Sequence, residues 1–202
     1  MNPSRPKAKL SRALGIPLTP KSVKYFERRP FPPGVHGRSR RKPSDYSVRL
    51  REKQRLRHQY NIGEAQLRRV FEGAQRHAGK SGERLLIELE CRLDALVLRS
   101  GIARTIYQAR QMVSHGHLTV DGRKVDIPSY RVKPYQTVSV RERSRELTPF
   151  QVAAAGANAP AVTAPYLDVS LADLRFTLIR EPQRSEIPVI CDEQLVVEFY
   201  SR

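Results

Sequence analysis

The sequence predicts an α+β protein. Amphipathic helices lead into a small unit of two helices and a short antiparallel sheet, behind a basic, proline-rich N-terminal arm. Three observations carry this. Apolar residues recur at helical spacing from Leu67 to Val113, the signature of buried helix faces. Asp121-Gly122 separates two short extended runs, a strong hairpin signal. Eight prolines punctuate residues 1–44, a density that prevents long helices and interior strands.

The arm, residues 1–44, shows no periodic apolar face and is expected to order only on its partner. The first helix is expected over residues 45–60, capped by Ser44 or Asp45. Arg49, Lys53 and Arg57 share one face of it at i, i+4, i+8, with Arg51, Arg55 and His58 beside them. Tyr46 with Leu50, and Leu56 with Tyr60, dock inward. Leu67, Val70, Phe71 and Ala74 make residues 64–78 a core helix. Gly79 and Gly82 break it, and Ser81 caps the next. That helix runs to Gly101, with a bend expected near Cys91–Leu93. Thr105 and Gln108 form a capping box. The helix it starts buries Ile106, Ala109, Met112 and Val113 and turns Arg104, Arg110 and Gln111 outward. It ends at Gly116. Leu118–Val120, Lys124-Val125 and Thr137–Arg141 are the expected strands. Residues 147–166 are small, proline-punctuated and nearly uncharged, and read as a flexible linker. At the end of the chain Leu195, Val196, Phe199 and Tyr200 fit a helix capped by Asp192, while Leu195, Val197 and Phe199 fit a strand equally well.

The chain has 202 residues, 39% hydrophobic and 28% charged, with a formal charge of +17. The charge is uneven: +14 over residues 1–60, +6 over 61–146 and −3 over 147–202. The basic end is therefore expected to face an extended polyanion and the acidic end to face elsewhere. No apolar run reaches the ~18 residues a bilayer span requires, and no apolar core of a secretory signal opens the sequence. No membrane partner is expected. Two cysteines, Cys91 and Cys191, suit a reducing compartment and make neither a disulfide framework nor a four-cysteine zinc site.

The catalytic inventory is nearly empty. There is no GxxxxGK[ST], no GxGxxG after a strand and no GxSxG. Glu88 and Glu90, or Asp192 and Glu193, are spaced so that they do not face each other on a helix. Cys91 lies on an apolar face and reads as core. His115 and His117 are two ligands without a third, so solvent or phosphate contact suits them better than a metal. No enzyme activity, cofactor or metal is expected.

Arg92 to Arg143, with its Arg92-Leu93-Asp94 opening, Gly101 break, Ala109-Arg110, Gly116 and Val-x-Gly hairpin, resembles the small RNA-binding domain named after small-subunit ribosomal protein S-four. PPGVHGRSRRKPSDYSVRLREKQRLRHQY before it and DEQLVVEFYSR at the end are similar to the flanks of the bacterial and plastid ribosomal S-four family. The arm lacks the four cysteines of the family's zinc-binding members and so resembles the zinc-free form. The resemblance implies a helical domain of residues 45–91 plus 185–202, into which residues 92–146 are inserted as the RNA-binding domain. Residues 147–184 then form a linker and return segment.

It further implies direct binding of 16S-type rRNA at a helix junction of the 5′ domain, nucleation of small-subunit assembly, and a place on the ribosome in a cytoplasm or plastid stroma. The family also borders small-subunit protein five and the mRNA entrance channel and affects decoding accuracy. Structured RNA hides its base edges in a deep, narrow groove, so recognition rests on shape and phosphates. Arginine suits this because its planar fork grips phosphate and stacks. The expected RNA-binding residues are Arg38, Arg40, Arg41, Lys42, Tyr46, Arg49, Arg51, Lys53, Arg55 and Arg57 on one surface. Arg104, Arg110, His115, Arg131 and Lys133 form a second. The rival reading is a free-standing RNA chaperone or stress protein carrying the same domain.

Overall fold

The computed structural model describes residues 6–38, 42–160 and 162–201. The chain runs α1 (Lys7–Leu14), α2 (Pro20–Arg28), a 3-10 turn (Val35–Arg38), α3 (Asp45–Gln59), α4 (Glu64–Ala74), α5 (Ser81–Glu90), α6 (Leu93–Arg99) and α7 (Ile106–Ser114). There follow β1 (Leu118–Val120), β2 (Arg123–Lys124), β3 (Thr137–Val140), α8 (Glu142–Arg145), α9 (Thr148–Ala154), β4 (Leu167–Ser170), β5 (Arg175–Leu178), a 3-10 turn (Arg184–Glu186) and α10 (Glu193–Tyr200). They form two compact units: residues 1–84 with 189–202, and residues 85–188.

In the first unit residues 6–38 of the N-terminal arm are folded, against expectation. Its prolines sit where helices tolerate them. Pro6 precedes α1, Pro20 is the first residue of α2, and Pro30, Pro32 and Pro33 follow its end. Leu14 and Ile16 are buried, and the buried Ser11 and Ser22 hydroxyls lie 3.1 Å apart. Gly15 ends α1 at φ +71°, a left-handed conformation that favours glycine. Arg55 Nε donates to Leu14 O at 2.7 Å, tying the arm to α3. The C-terminal segment is a helix rather than a strand. Asp192 accepts from Gln194 N and Leu195 N, which fixes its start. Val196 of α10 is fully buried, and Phe199 and Tyr200 meet Tyr46 and Phe71 at ring distances of 5.9 and 4.9 Å. Gly82 does not break a helix but lies inside α5, where a Cβ would meet Glu193 Cγ at 3.0 Å.

Early in the second unit lies the predicted bend. The chain leaves helix at Cys91-Arg92, where Val132 N donates to Cys91 O and Leu93 N to Tyr130 O. The hairpin turn has Asp121 at φ +49° and Gly122 at φ +78°, the two positive φ values a tight hairpin turn uses. The sheet is larger than expected. Its order is β2-β1-β3-β5-β4, antiparallel throughout, with Val138 opposite Phe176. Residues 147–166 are not a loose linker: Phe150, Ala153 and Tyr166 belong to the same core as Leu93, Val97 and Val138. Their smallness has a packing reason. Gly101 lies so close to Asn158, Ala159 and Pro160 that an added Cβ would meet Pro160 Cδ at 3.0 Å. The compact unit that holds this sheet runs from residue 85 to residue 188.

Candidate nucleic-acid interface

In the first unit, α3 starts where Ser47 N donates to Ser44 Oγ. Its Arg49–Lys53–Arg57 row faces α4 and α10, not solvent. Arg49 Nε donates to Glu198 at 2.7 Å. Lys53, only 5% exposed, donates to Glu64 at 3.0 Å and lies 4.3 Å from the Phe199 ring centroid. Arg57 donates to Ile62 O and lies 3.8 Å from Glu64. Arg55 pairs with Glu52 at 2.6 Å as well as Leu14 O. A buried ammonium requires a partner, and for Lys53 the counter-charge comes from Glu64 of α4. Burial works against the Glu64 carboxylate, yet the Lys53 and Tyr200 hydrogen bonds and the Arg57 charge hold its pKa below the usual range.

Four of the expected residues of this unit remain outward. Arg51 and Lys42 are exposed. Tyr46 is 56% exposed despite its contact with Phe199. Arg38 is exposed on its 3-10 turn, its guanidinium 4.7 Å from the Phe31 ring centroid. Arg40 and Arg41 lie outside the described residues. The cations of α1 and α2 lie on helices that the proline density of residues 1–44 does not predict. Thr19-Pro20, a cap residue followed by proline, is the signal that could have revealed a helix there.

In the second unit, Gln108 N donates to Thr105 Oγ1 and Arg104 N to Gln108 Oε1, so the predicted capping pair holds Arg104 at the start of α7 with its side chain exposed. Arg110 is anchored rather than free of partners. Its Nη1 lies 3.6 Å from the buried Asp94, to which the buried Arg92 donates at 2.9 and 2.7 Å. Burial raises the Asp94 pKa, opposed by Arg92 and Arg110. About a third of the Arg110 side chain stays in contact with solvent. Arg131 pairs with the buried Glu88 but is half-exposed. Lys133 and His115 are exposed.

The His115–His117 pair lies beside arginines that the sequence reading did not include. His117 lies 5.9 Å, ring to ring, from His115, with Nδ1 3.0 Å from Ser144 Oγ. Burial, then the positive charges of His115, Arg141 and Arg143, push its pKa down. The Arg141-x-Arg143-x-Arg145 spacing was the signal. Among the described residues no group of three or more His, Cys, Asp or Glu is arranged to hold a metal ion, and no helix is long and apolar enough to cross a membrane. Both units thus carry exposed cations, Arg51 and Lys42 in the first and Arg104 and Lys133 in the second, without a carboxylate partner among the described residues.

Comparison with known proteins agrees with this geometry. The family model described as ribosomal protein S4/S9 N-terminal domain matches residues 3–90, and that of the S4 domain matches residues 91–138. The chain is 67% identical to small ribosomal subunit protein uS4 of Streptomyces avermitilis over 202 residues, covering all of this chain and 99% of the relative. It is 65% identical to that of Streptomyces griseus with the same coverage, and 57% identical over 198 residues to that of Thermobifida fusca, covering 98% of each chain. With identity sustained over both units and almost the whole of each relative, the chain belongs to the small ribosomal subunit protein uS4 family.

Proposed function

We propose that this chain is a structural, non-enzymatic protein of the small ribosomal subunit that binds the subunit's rRNA directly. One observation carries the reading. Arg38, Lys42 and Arg51 in the first unit, and Arg104, Arg123, Lys133 and Arg143 in the second, are exposed and have no carboxylate partner among the described residues. Surface cations left without internal counter-charge suit phosphates. Arg49, Arg110 and Arg131, part-exposed beside their carboxylates, are assigned to shaping this surface and lending it a donor.

Each unit would bring its own cationic surface to folded rRNA, recognising the shape of a helix junction in the 5′ domain of 16S-type rRNA. Binding there would nucleate assembly of the subunit body, on cytoplasmic ribosomes. Small-subunit protein five and the mRNA at its entrance channel are the proposed neighbours, through which the chain would affect decoding accuracy. The acidic part of the chain, with Asp168 exposed on β4, is assigned to protein contact.

Footprinting on naked small-subunit rRNA tests this reading: protection should cluster at one helix junction, and protection scattered over the molecule would count against it. Co-sedimentation separates it from a free-standing RNA chaperone. A structural component stays stoichiometric on small subunits through a high-salt wash, and a chaperone is removed.

A further inference from the structure

We propose that the α1–α2 hairpin forms a subsite for one unpaired nucleotide of an RNA strand, its base on Tyr25 and its phosphates on Lys9, Arg12, Arg28 and Arg29. The proposal rests on the rRNA-binding reading and deepens it. These five residues, with Pro6, Ala8 and Pro33, line a groove of about 490 Å³, within the ~300–1,000 Å³ range of small-ligand sites.

Three features point to a nucleotide. The charge is one-sided: Glu27 is the sole acid in residues 1–44 and does not line the groove. Arg12 is held by neutral acceptors, its Nε donating to Phe31 O at 3.0 Å and its Nη2 to Pro32 O at 3.4 Å. Its orientation is therefore fixed while its charge stays uncompensated. An exposed ring lies beside these cations. Phe31 already carries the Arg12 and Arg38 guanidiniums at 5.1 and 4.7 Å from its centroid. Tyr25 is 51% exposed. Cations that track a backbone beside an exposed ring are the equipment of single-strand recognition. A duplex keeps its bases stacked inside and would use the cations alone. An acidic peptide would likewise leave Tyr25 idle.

The test titrates the full-length protein with an oligouridine hexamer and, in parallel, with small-subunit rRNA. Four proteins are compared: wild type, Tyr25→Ala, Tyr25→Phe, and the double variant Arg28→Gln with Arg29→Gln. Tyr25→Ala should weaken hexamer binding about tenfold while keeping the wild-type salt slope, and Tyr25→Phe should restore the affinity. The double Arg variant should flatten the salt slope by about 1.4, two phosphates' worth for a single strand. Should Tyr25→Ala melt early, the double variant, whose side chains are exposed, carries the test. Wild-type hexamer affinity in Tyr25→Ala, an unchanged slope in the double variant, or no hexamer binding by the wild type would overturn the subsite. If rRNA binding persists in that case, the general reading survives and only the subsite is lost. Absence of rRNA binding as well would remove both.

Discussion

Lys53 and Arg51 sit two positions apart on α3 and have opposite surroundings. Lys53 is buried on Glu64 beneath Phe199, and Arg51 points to water. Lys53→Ala should therefore lower stability by about 1–3 kcal/mol, through loss of a charge-assisted hydrogen bond to a carboxylate that is itself part-exposed. Arg51→Ala should leave the melt unchanged and flatten the rRNA salt slope by about one. Chemical denaturation and filter binding on the two variants check this, and the reverse pattern would contradict the assignment. Asp94 is the sharper case, since it is fully buried between Arg92 and Arg110. Asp94→Ala should cost about 3–5 kcal/mol by stranding Arg92, whereas Arg110→Ala, at a position about one-third exposed, should cost about 1 kcal/mol or less.

His117 supplies a pH prediction at the same scale. Its folded pKa lies below the ordinary imidazole value, through burial and then through His115, Arg141 and Arg143. The unfolded chain thus takes up the proton first. The His117 contribution to stability is present above about pH 6.5 and is lost as pH falls from there through the folded pKa. His117→Gln should flatten the acid limb of a melting-temperature profile in that range, and an unchanged limb would exclude the residue as its source. The fates of these side chains were only half legible in the sequence. Helical spacing correctly placed Arg49, Lys53 and Arg57 on one face, but their counter-charges come from Glu64 and Glu198, 11 positions from Lys53 and 149 from Arg49. A local window cannot see such partners.

At the level of elements, short-range signals were reliable because their physics is short-range. The Thr105 cap, the Asp121-Gly122 turn, the bend after Glu90 and Gly116 beyond α7 all appear where local chemistry requires them. The arm and the segment after residue 146 were misread because each is held by scattered anchors rather than a periodic face. Leu14 and Ile16 anchor the arm, and Phe150, Tyr166, Phe176 and Leu178 the later segment. Phe150→Ala should accordingly cost about 3–5 kcal/mol, measured by urea denaturation; a cost below about 1 kcal/mol would restore the linker description. Deleting residues 1–44 should both weaken rRNA binding and lower the melting temperature, since Leu14 and Ile16 leave the core and Arg55 loses Leu14 O. An equally stable truncated protein would show that the arm is not part of the first unit.

For the whole molecule, the governing quantity is the gradient of charge along the chain, from +14 over residues 1–60 to −3 over residues 147–202. The fold neutralises part of the cationic excess internally, at Lys53, Arg55 and Arg92. The remainder is left on the surfaces of both units. The central claim is that this remainder exists to neutralise rRNA phosphates. Filter binding of the full-length protein to small-subunit rRNA over a range of salt concentrations tests it most directly. If about six to ten phosphates are neutralised, log K should fall with log[salt] at a slope of roughly −5 to −8; a slope shallower than about −2 would contradict an electrostatic mode of binding.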